Sequence, residues 1–136
     1  MSYAMSAALQ AAVFQRLEAT QTLTDLVGSA IYDTAPPGPL PHLYVALGAE
    51  DVRDRSDITG AGAYHEFTVS VVTDLPGFLT AKEAAAAISD TLVDAPLILS
   101  RGRLVLLHFI RSKARRADKA GKRQIDLRFR ARVEDA

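Results

Sequence analysis

The sequence contains no cysteine, no asparagine and no tryptophan among its 136 residues. The absence of cysteine excludes disulfide bonds, thiolate catalysis and cysteine-ligated zinc or iron–sulfur sites. The absence of asparagine excludes an N-glycosylation acceptor. No apolar run approaches the roughly 20 residues of a membrane-spanning helix, and residues 1–9 lack the basic and apolar regions of a signal peptide. We therefore expect a chain that folds in a cytoplasm and does not enter a membrane.

The composition is that of a folded globular protein, with 49% hydrophobic and 24% charged residues. A chain of this length buries roughly two-thirds of its unfolded surface, which suffices for a core without cross-links. The sequence shows no internal repeat, and residues 1–136 are predicted to form one domain.

The charge is balanced overall but unevenly placed. Sixteen basic and sixteen acidic residues cancel, yet residues 101–136 carry twelve basic and four acidic residues, a net charge of +8, and residues 1–100 carry −8. Such asymmetry predicts a charged partner or self-assembly through opposite patches. The alternative is a solvated basic hairpin whose charges mainly confer solubility.

Three helical segments are indicated by the apolar spacing. Apolar residues four apart predict a first helix over about Ser6 to Ala19, and a short second helix from Leu23 to Val27 stops at Gly28. A capping box at Thr80 and Glu83 predicts a third helix that ends near Asp94. Between the second and third helices, four prolines within residues 36–41 form a stiff connection.

The remaining segments read as strands. Leu43–Leu47 is the first clear strand, and residues 50–62 are polar and predicted to form a mobile loop or hairpin tip. Strict alternation of apolar and polar residues predicts half-buried strands over residues 64–73 and 124–133. A further strand runs over about residues 103–113, and a polar bend at residues 118–121 joins it to the last one. The order predicts an α+β fold: a mostly antiparallel sheet of four to five strands, two main helices packed on one face, and a long C-terminal β-hairpin.

No residue pattern points to catalysis, to a metal or to a cofactor. The histidines His42, His65 and His108 are scattered and match no ligand spacing. There is no nucleophile elbow, and the carboxylates of Glu50 to Asp57 lie in the predicted loop, where they read as solvated charges. The basic hairpin offers no exposed aromatic platform for stacking bases, so sequence readout of nucleic acid is not expected.

The strand from Leu104 to Ile110 is apolar on both faces, whereas a sheet covered on one side alternates. We predict that another subunit covers part of it, the alternative being a central strand between the two helices. The predicted subunit interface comprises Leu106, His108, Ile110, Arg128, Arg130 and Arg132. The three arginines suit bidentate pairing with carboxylates of Glu50 to Asp57 in a neighbouring copy.

Two polar excursions from the sheet are predicted to contact other proteins, because such contacts concentrate in loops. The predicted contact residues in the bend and its flanks are Arg115, Arg116, Lys119, Lys122 and Arg123. Those in the loop are Arg53, Asp54, Arg55 and Asp57.

Several short motifs, taken in order, resemble one family. They are Ala8-Leu9-Gln10 with Val13-Phe14, Leu26-Val27-Gly28, Ile31-Tyr32-Asp33, Pro36-Pro37, Tyr44–Gly48, Gly62-Ala63 with His65, Arg103–Val105, and Leu127–Ala131. Together they resemble the tail terminator, or tail completion, proteins of phage head–tail modules. The alanine-rich, cysteine-free composition is similar to the version found in gene transfer agents, the phage-like particles of α-proteobacteria.

This resemblance implies a structural protein with no catalytic residues. Members of the group form a hexameric ring that caps the finished tail tube, meets the head-side connector and leaves a channel for DNA. The implied partners are further copies of the chain, the tail tube protein, the connector and DNA passing without sequence readout. The implied location is the neck of the particle. The alternatives are a head-completion protein of the same module and a small DNA-binding module that uses the basic hairpin.

Overall fold

The computed structural model describes residues 3–54, 62–118 and 121–135. Its elements in chain order are α1 (Ser6–Glu18), α2 (Gln21–Val27), β1 (Ile31–Tyr32), β2 (Leu43–Asp54), β3 (Gly62–Thr73), α3 (Leu79–Leu92), β4 (Arg103–Arg116) and β5 (Arg123–Glu134). The predicted α+β class is confirmed. No helix among the described residues is long and apolar enough to cross a membrane.

The strands form one sheet in the order β1-β2-β3-β5-β4. Every pairing is antiparallel except that of β1 with β2, which is parallel, so the sheet is mixed. Strands β4 and β5 form the predicted hairpin. Strand β4 occupies one edge of the sheet, so the alternative that it lies centrally between two helices is wrong.

The core lies between the three helices and one face of the sheet. On β3 and β5 the odd-numbered residues face the helices, and the predicted alternation is confirmed because Val69, Val71, Leu127 and Phe129 are all buried. The ring of Phe129 stacks on Phe67, with centroids 5.6 Å apart, and meets the edge of Phe109 at 5.9 Å. These contacts tie β3, β5 and β4 together across the sheet.

The opposite face of the sheet is not covered by helices, and we call it the uncovered face. Residues 38–41 of the proline-rich segment lie beside Tyr44 and Val72 at one corner of it. The rest presents the even-numbered residues of β5 and, by register, the residues of β4 opposite them, Leu106, His108, Arg111, Lys113 and Arg115.

Two local predictions are corrected. Residues 50–54 do not form a loop, because β2 passes a bulge between Leu47 and Glu50 and continues to Asp54, paired with β3. The capping box is also wrong: α3 begins at Leu79, its N-cap residue is Phe78, and no side chain caps it.

Candidate interaction surface

The arginine row of β5 stands on the uncovered face, but it is paired within the chain. Arg128 and Arg130 lie 3.8 and 3.5 Å from Oε1 of Glu66, and Arg132 lies 3.7 Å from Oε1 of Glu134. The guanidinium groups of Arg130 and Arg132 also lie over the ring of Tyr64, at 5.7 and 5.6 Å. The row already has carboxylate partners in its own chain, supplied by β3 and β5.

Asp126 continues this face at the other end of β5. Its carboxylate accepts hydrogen bonds from Ser70 Oγ at 2.6 Å and Gln124 Nε2 at 2.7 Å, and Arg115 Nε lies 3.5 Å away. Burial raises the pKa of Asp126, but the two hydrogen bonds and the charge of Arg115 together outweigh burial and hold that pKa below its usual value. Asp126 therefore stays ionised and anchors Arg115 to the sheet.

The second half of β4, residues 108–116, is exposed on both of its faces, and we call it the outer β4 edge. Phe109 and Ile110 are 42% and 37% exposed. Arg111, Lys113 and Arg116 make no ion pair with any described residue. The predicted interface residue His108 is exposed here, whereas Leu106, nearer the start of β4, is half-buried.

The bend between β4 and β5 is closed by hydrogen bonds from backbone N–H groups to a backbone carbonyl and to a side chain. Ala117 N donates to Lys122 O at 2.7 Å, and Lys122 N donates to Asp118 Oδ1 at 3.1 Å. Arg123 is half-buried, with its guanidinium over the Phe78 ring at 5.6 Å and hydrogen bonds to the carbonyls of Leu75 and Gly121. The predicted contact residue Lys119 lies outside the described residues.

The other predicted contact segment is partly a strand. Arg53 and Asp54 pair with Tyr64 and Ala63 of β3. Arg53 lies 3.9 Å from Asp51, and both side chains are largely exposed. Arg55, Asp57 and the side chain of Asp54 lie outside what the structure describes.

A buried polar cluster that the sequence reading missed joins α1 to the sheet. Ser6 Oγ donates to Glu50 Oε1 at 2.5 Å, and His65 Nδ1 lies 3.3 Å from Glu50 Oε2. His65 is fully buried. Glu50 faces the helices rather than solvent, so the interpretation of Glu50 as a solvated loop charge for a neighbour's arginines is wrong.

The same three residue types occur in hydrolase triads, but their arrangement here does not support that chemistry. In a triad the histidine lies between serine and carboxylate and takes the serine proton. In this cluster the carboxylate lies between serine and histidine, so His65 is not placed to take the proton of the Ser6 hydroxyl. No group of three or more potential metal ligands occurs within the described residues.

The helical layer presents a surface of opposite sign. The three helices carry four acidic residues and two basic ones. A groove on the outer side of α1, which we call the α1 groove, is lined by Ala7, Gln10, Ala11, Phe14, Gln15, Glu18 and Asp33. The groove combines apolar side chains with two carboxylates, and neither Glu18 nor Asp33 makes an ion pair with a described residue.

Comparison with known proteins gives two matches of wide coverage. Residues 11–134 match the family model described as tail completion protein gp17. The chain is also similar to a chain in the solved structure of the virion of a native gene transfer agent particle, with 65% sequence identity and a TM-score of 0.93. That match covers 98% of this chain and 99% of the other. No curated protein matches the sequence significantly.

Proposed function

The chain belongs to the tail completion protein gp17 family, and on that premise we propose that it forms a hexameric ring that ends a phage-like tail. The ring caps the finished tail tube, stops the addition of further tube subunits and meets the head-side connector. Its centre leaves a channel through which DNA passes without base readout. The protein acts through shape and surface contacts and catalyses no reaction.

The observation that carries this proposal is the 65% identity, over almost the whole of both chains, to a component of a gene transfer agent virion. At that identity and a TM-score of 0.93 the two chains share their backbone fold. This similarity supports the proposed role at the neck of such a particle. The described residues add support, since their one serine–histidine–carboxylate cluster lacks the geometry of a catalytic site.

The two charged surfaces also suit assembly by shape. A basic edge and an acidic helical layer on one subunit allow a head-to-tail contact, and such contacts close into rings when the rotation permits.

The excess of arginine and lysine on the uncovered face suits contact with DNA phosphates, which is independent of sequence.

The proposal is tested by deleting the gene in a producing strain and imaging the particles. We expect tails of uncontrolled length, or tails without heads, and restoration of normal particles by the intact gene. Light scattering on the purified protein, alone and with tail tubes, is expected to show six copies per assembly. Normal tails in the deletion strain would overturn the terminator role. Heads that bind the protein while tubes do not would assign it to head completion.

A DNA-binding module is the second candidate, favoured by three cations of the outer β4 edge, Arg111, Lys113 and Arg116, that make no ion pair with a described residue. It predicts affinity for duplex DNA that falls steeply with salt and is lost when Arg111, Lys113 and Arg116 are replaced by serine. Arg115 and Arg123 are unsuitable for this test, because both are held by contacts within the fold. Absence of salt-dependent binding removes this candidate.

A further inference from the structure

We propose that the outer β4 edge of one copy binds in the α1 groove of a second copy, so that subunits join head to tail. This inference rests on the proposed ring and names the contact that builds it.

The outer β4 edge lacks a cover on the helical side as well as on the uncovered side. By register, Ser112 and Ala114 lie opposite Leu127 and Ile125 on the face that packs against the helices. Leu127 and Ile125 are buried, but Ser112 and Ala114 are exposed. The helical layer therefore covers Leu107 in the first half of β4 but ends before it reaches the outer β4 edge, which projects past the core with room for another molecule.

The two surfaces match in both polarity and charge. The edge begins with the partly exposed apolar side chains of Phe109 and Ile110, followed by Arg111 and Lys113, which make no ion pair with a described residue. The α1 groove offers Ala11 and Phe14 beside the carboxylates of Glu18 and Asp33. An aromatic and an aliphatic side chain entering an apolar groove with charge pairs at its rim is the usual composition of a specific interface.

The topology sets the two surfaces at opposite sides of the subunit. Strand β4 is one edge of the sheet, and β1 is the other. Asp33, at the rim of the α1 groove, directly follows β1. Four strand spacings separate the edges, roughly 19 Å at about 4.8 Å each. A contact between unlike surfaces at opposite sides is heterologous, as a cyclic ring requires.

Direct pairing of two β4 edges across a two-fold axis is disfavoured. The register of β4 with β5 shifts between Leu104 and Leu106 and again between Phe109 and Arg111, and such bulges interrupt a flat hydrogen-bonding edge. Two such edges side by side would also bring together like charges from Arg111, Lys113, Arg115 and Arg116.

The test uses one variant for each surface. The edge variant carries Ile110→Glu and Lys113→Glu, and the groove variant carries Ala11→Arg and Glu18→Arg, all at surface positions. Size-exclusion chromatography with light scattering is expected to show that each variant alone stays monomeric at concentrations at which the wild type assembles. A 1:1 mixture is expected to assemble again, at least into dimers, because the intact edge of the groove variant binds the intact groove of the edge variant.

The matched control carries Lys82→Glu and Ala86→Arg, which make the same kinds of change at exposed positions of α3 outside both surfaces. It is expected to assemble as the wild type does, and thermal unfolding checks that all variants are folded. If the wild type assembles only on tail tubes, the variants are compared by the number of copies that bind to each tube end.

The outcomes separate this proposal from the ring itself. Assembly of the groove variant at the wild-type concentration would overturn the head-to-tail contact while leaving the ring in place. Rings of the edge variant that no longer bind tubes would assign β4 to the tube instead. A wild type that stays monomeric with and without tubes would overturn both the contact and the ring.

Discussion

Among the described glycines with a positive φ, Gly102 has the most crowded surroundings. Its φ is +71°, and a Cβ at this position would lie 2.4 Å from the carbonyl oxygen of Glu134 and 2.6 Å from Sδ of Met5. It lies immediately before β4, where the start of α1 meets the end of β5. Three segments of the chain approach each other closely at this position, and φ is positive. Both features require glycine here.

Gly102→Ala is therefore expected to destabilise the protein more than Gly77→Ala does. Gly77 has a nearly equal φ of +75°, but nothing lies within 4 Å of its missing Cβ. The Gly77 variant measures conformational strain alone, about 1–2 kcal/mol. Urea unfolding of both variants is expected to show a loss at Gly102 larger by at least about 1 kcal/mol, the overpacking cost. Equal losses would mean that the contacts with Met5 and Glu134 relax freely.

Asp126 makes the folded state sensitive to acid. Its pKa is lowered in the fold, so the folded state binds the proton more weakly than the unfolded state does. The stabilisation is fully present above the unfolded pKa of about 3.9 and is lost as the pH falls through the lower, folded pKa. The unfolding free energy of Asp126→Asn is expected to fall less between about pH 5 and pH 3 than that of the wild type.

A second variant isolates the cause. Ser70→Ala keeps the carboxyl group but removes a hydrogen bond that favours its ionised form, so the pKa of Asp126 is expected to rise. A titration of the Asp126 carboxyl carbon by NMR reads this directly. An unchanged titration in the Ser70 variant would contradict the assigned cause.

Helix α1 is fastened to the sheet by one polar contact at its first residue. Ser6 Oγ donates to the largely buried Glu50 carboxylate on β2. We expect Ser6→Ala to cost about 1–3 kcal/mol, because Glu50 loses a donor that water replaces poorly. Hydrogen exchange in the first turn of α1 is expected to speed up. The control Ser100→Ala removes an exposed hydroxyl with no such contact, and a shift of less than about 0.5 kcal/mol is expected.

The sequence predicts best those strands that helices cover on one side only. Strands β3 and β5 follow from alternation alone, because each has a helix-covered side and a polar side. Strand β1 has two residues and pairs in parallel with β2, so its formation depends on closure of the proline-rich connection rather than on local sequence.

The candidate surfaces were harder to predict. Arg128, Arg130 and Arg132 were correctly placed on one face, but their partners Glu66 and Glu134 depend on strand register, which the alternation leaves open. The polar composition of residues 50–62 predicts a loop that includes Glu50, whereas β2 continues past the bulge after Leu47 and turns Glu50 towards the helices. Its contact with Ser6 spans 44 residues of sequence and leaves no local signal.

At the scale of the whole molecule, the separation of charge predicts how assembly responds to salt. If carboxylates of the α1 groove meet cations of the outer β4 edge, screening weakens their attraction. The concentration at half-assembly is expected to rise severalfold between about 0.05 M and about 0.5 M sodium chloride. An unchanged or lower value would indicate a contact made by the apolar residues alone. Lys82→Glu changes the net charge outside both surfaces and serves as the control: its concentration at half-assembly is expected to depend on salt as that of the wild type does.

The contacts of α1, β4 and β5 around Gly102 also indicate how a circular permutant of the chain can be made. Because Met5 and Glu134 both touch this glycine, the first helix and the last strand leave the fold at neighbouring points. A short linker between them, with new ends opened in the bend after Asp118, yields a circular permutant that preserves every strand pairing. In that permutant the new termini lie at the opposite end of the β4–β5 hairpin. A fluorophore attached to them monitors that end of the molecule.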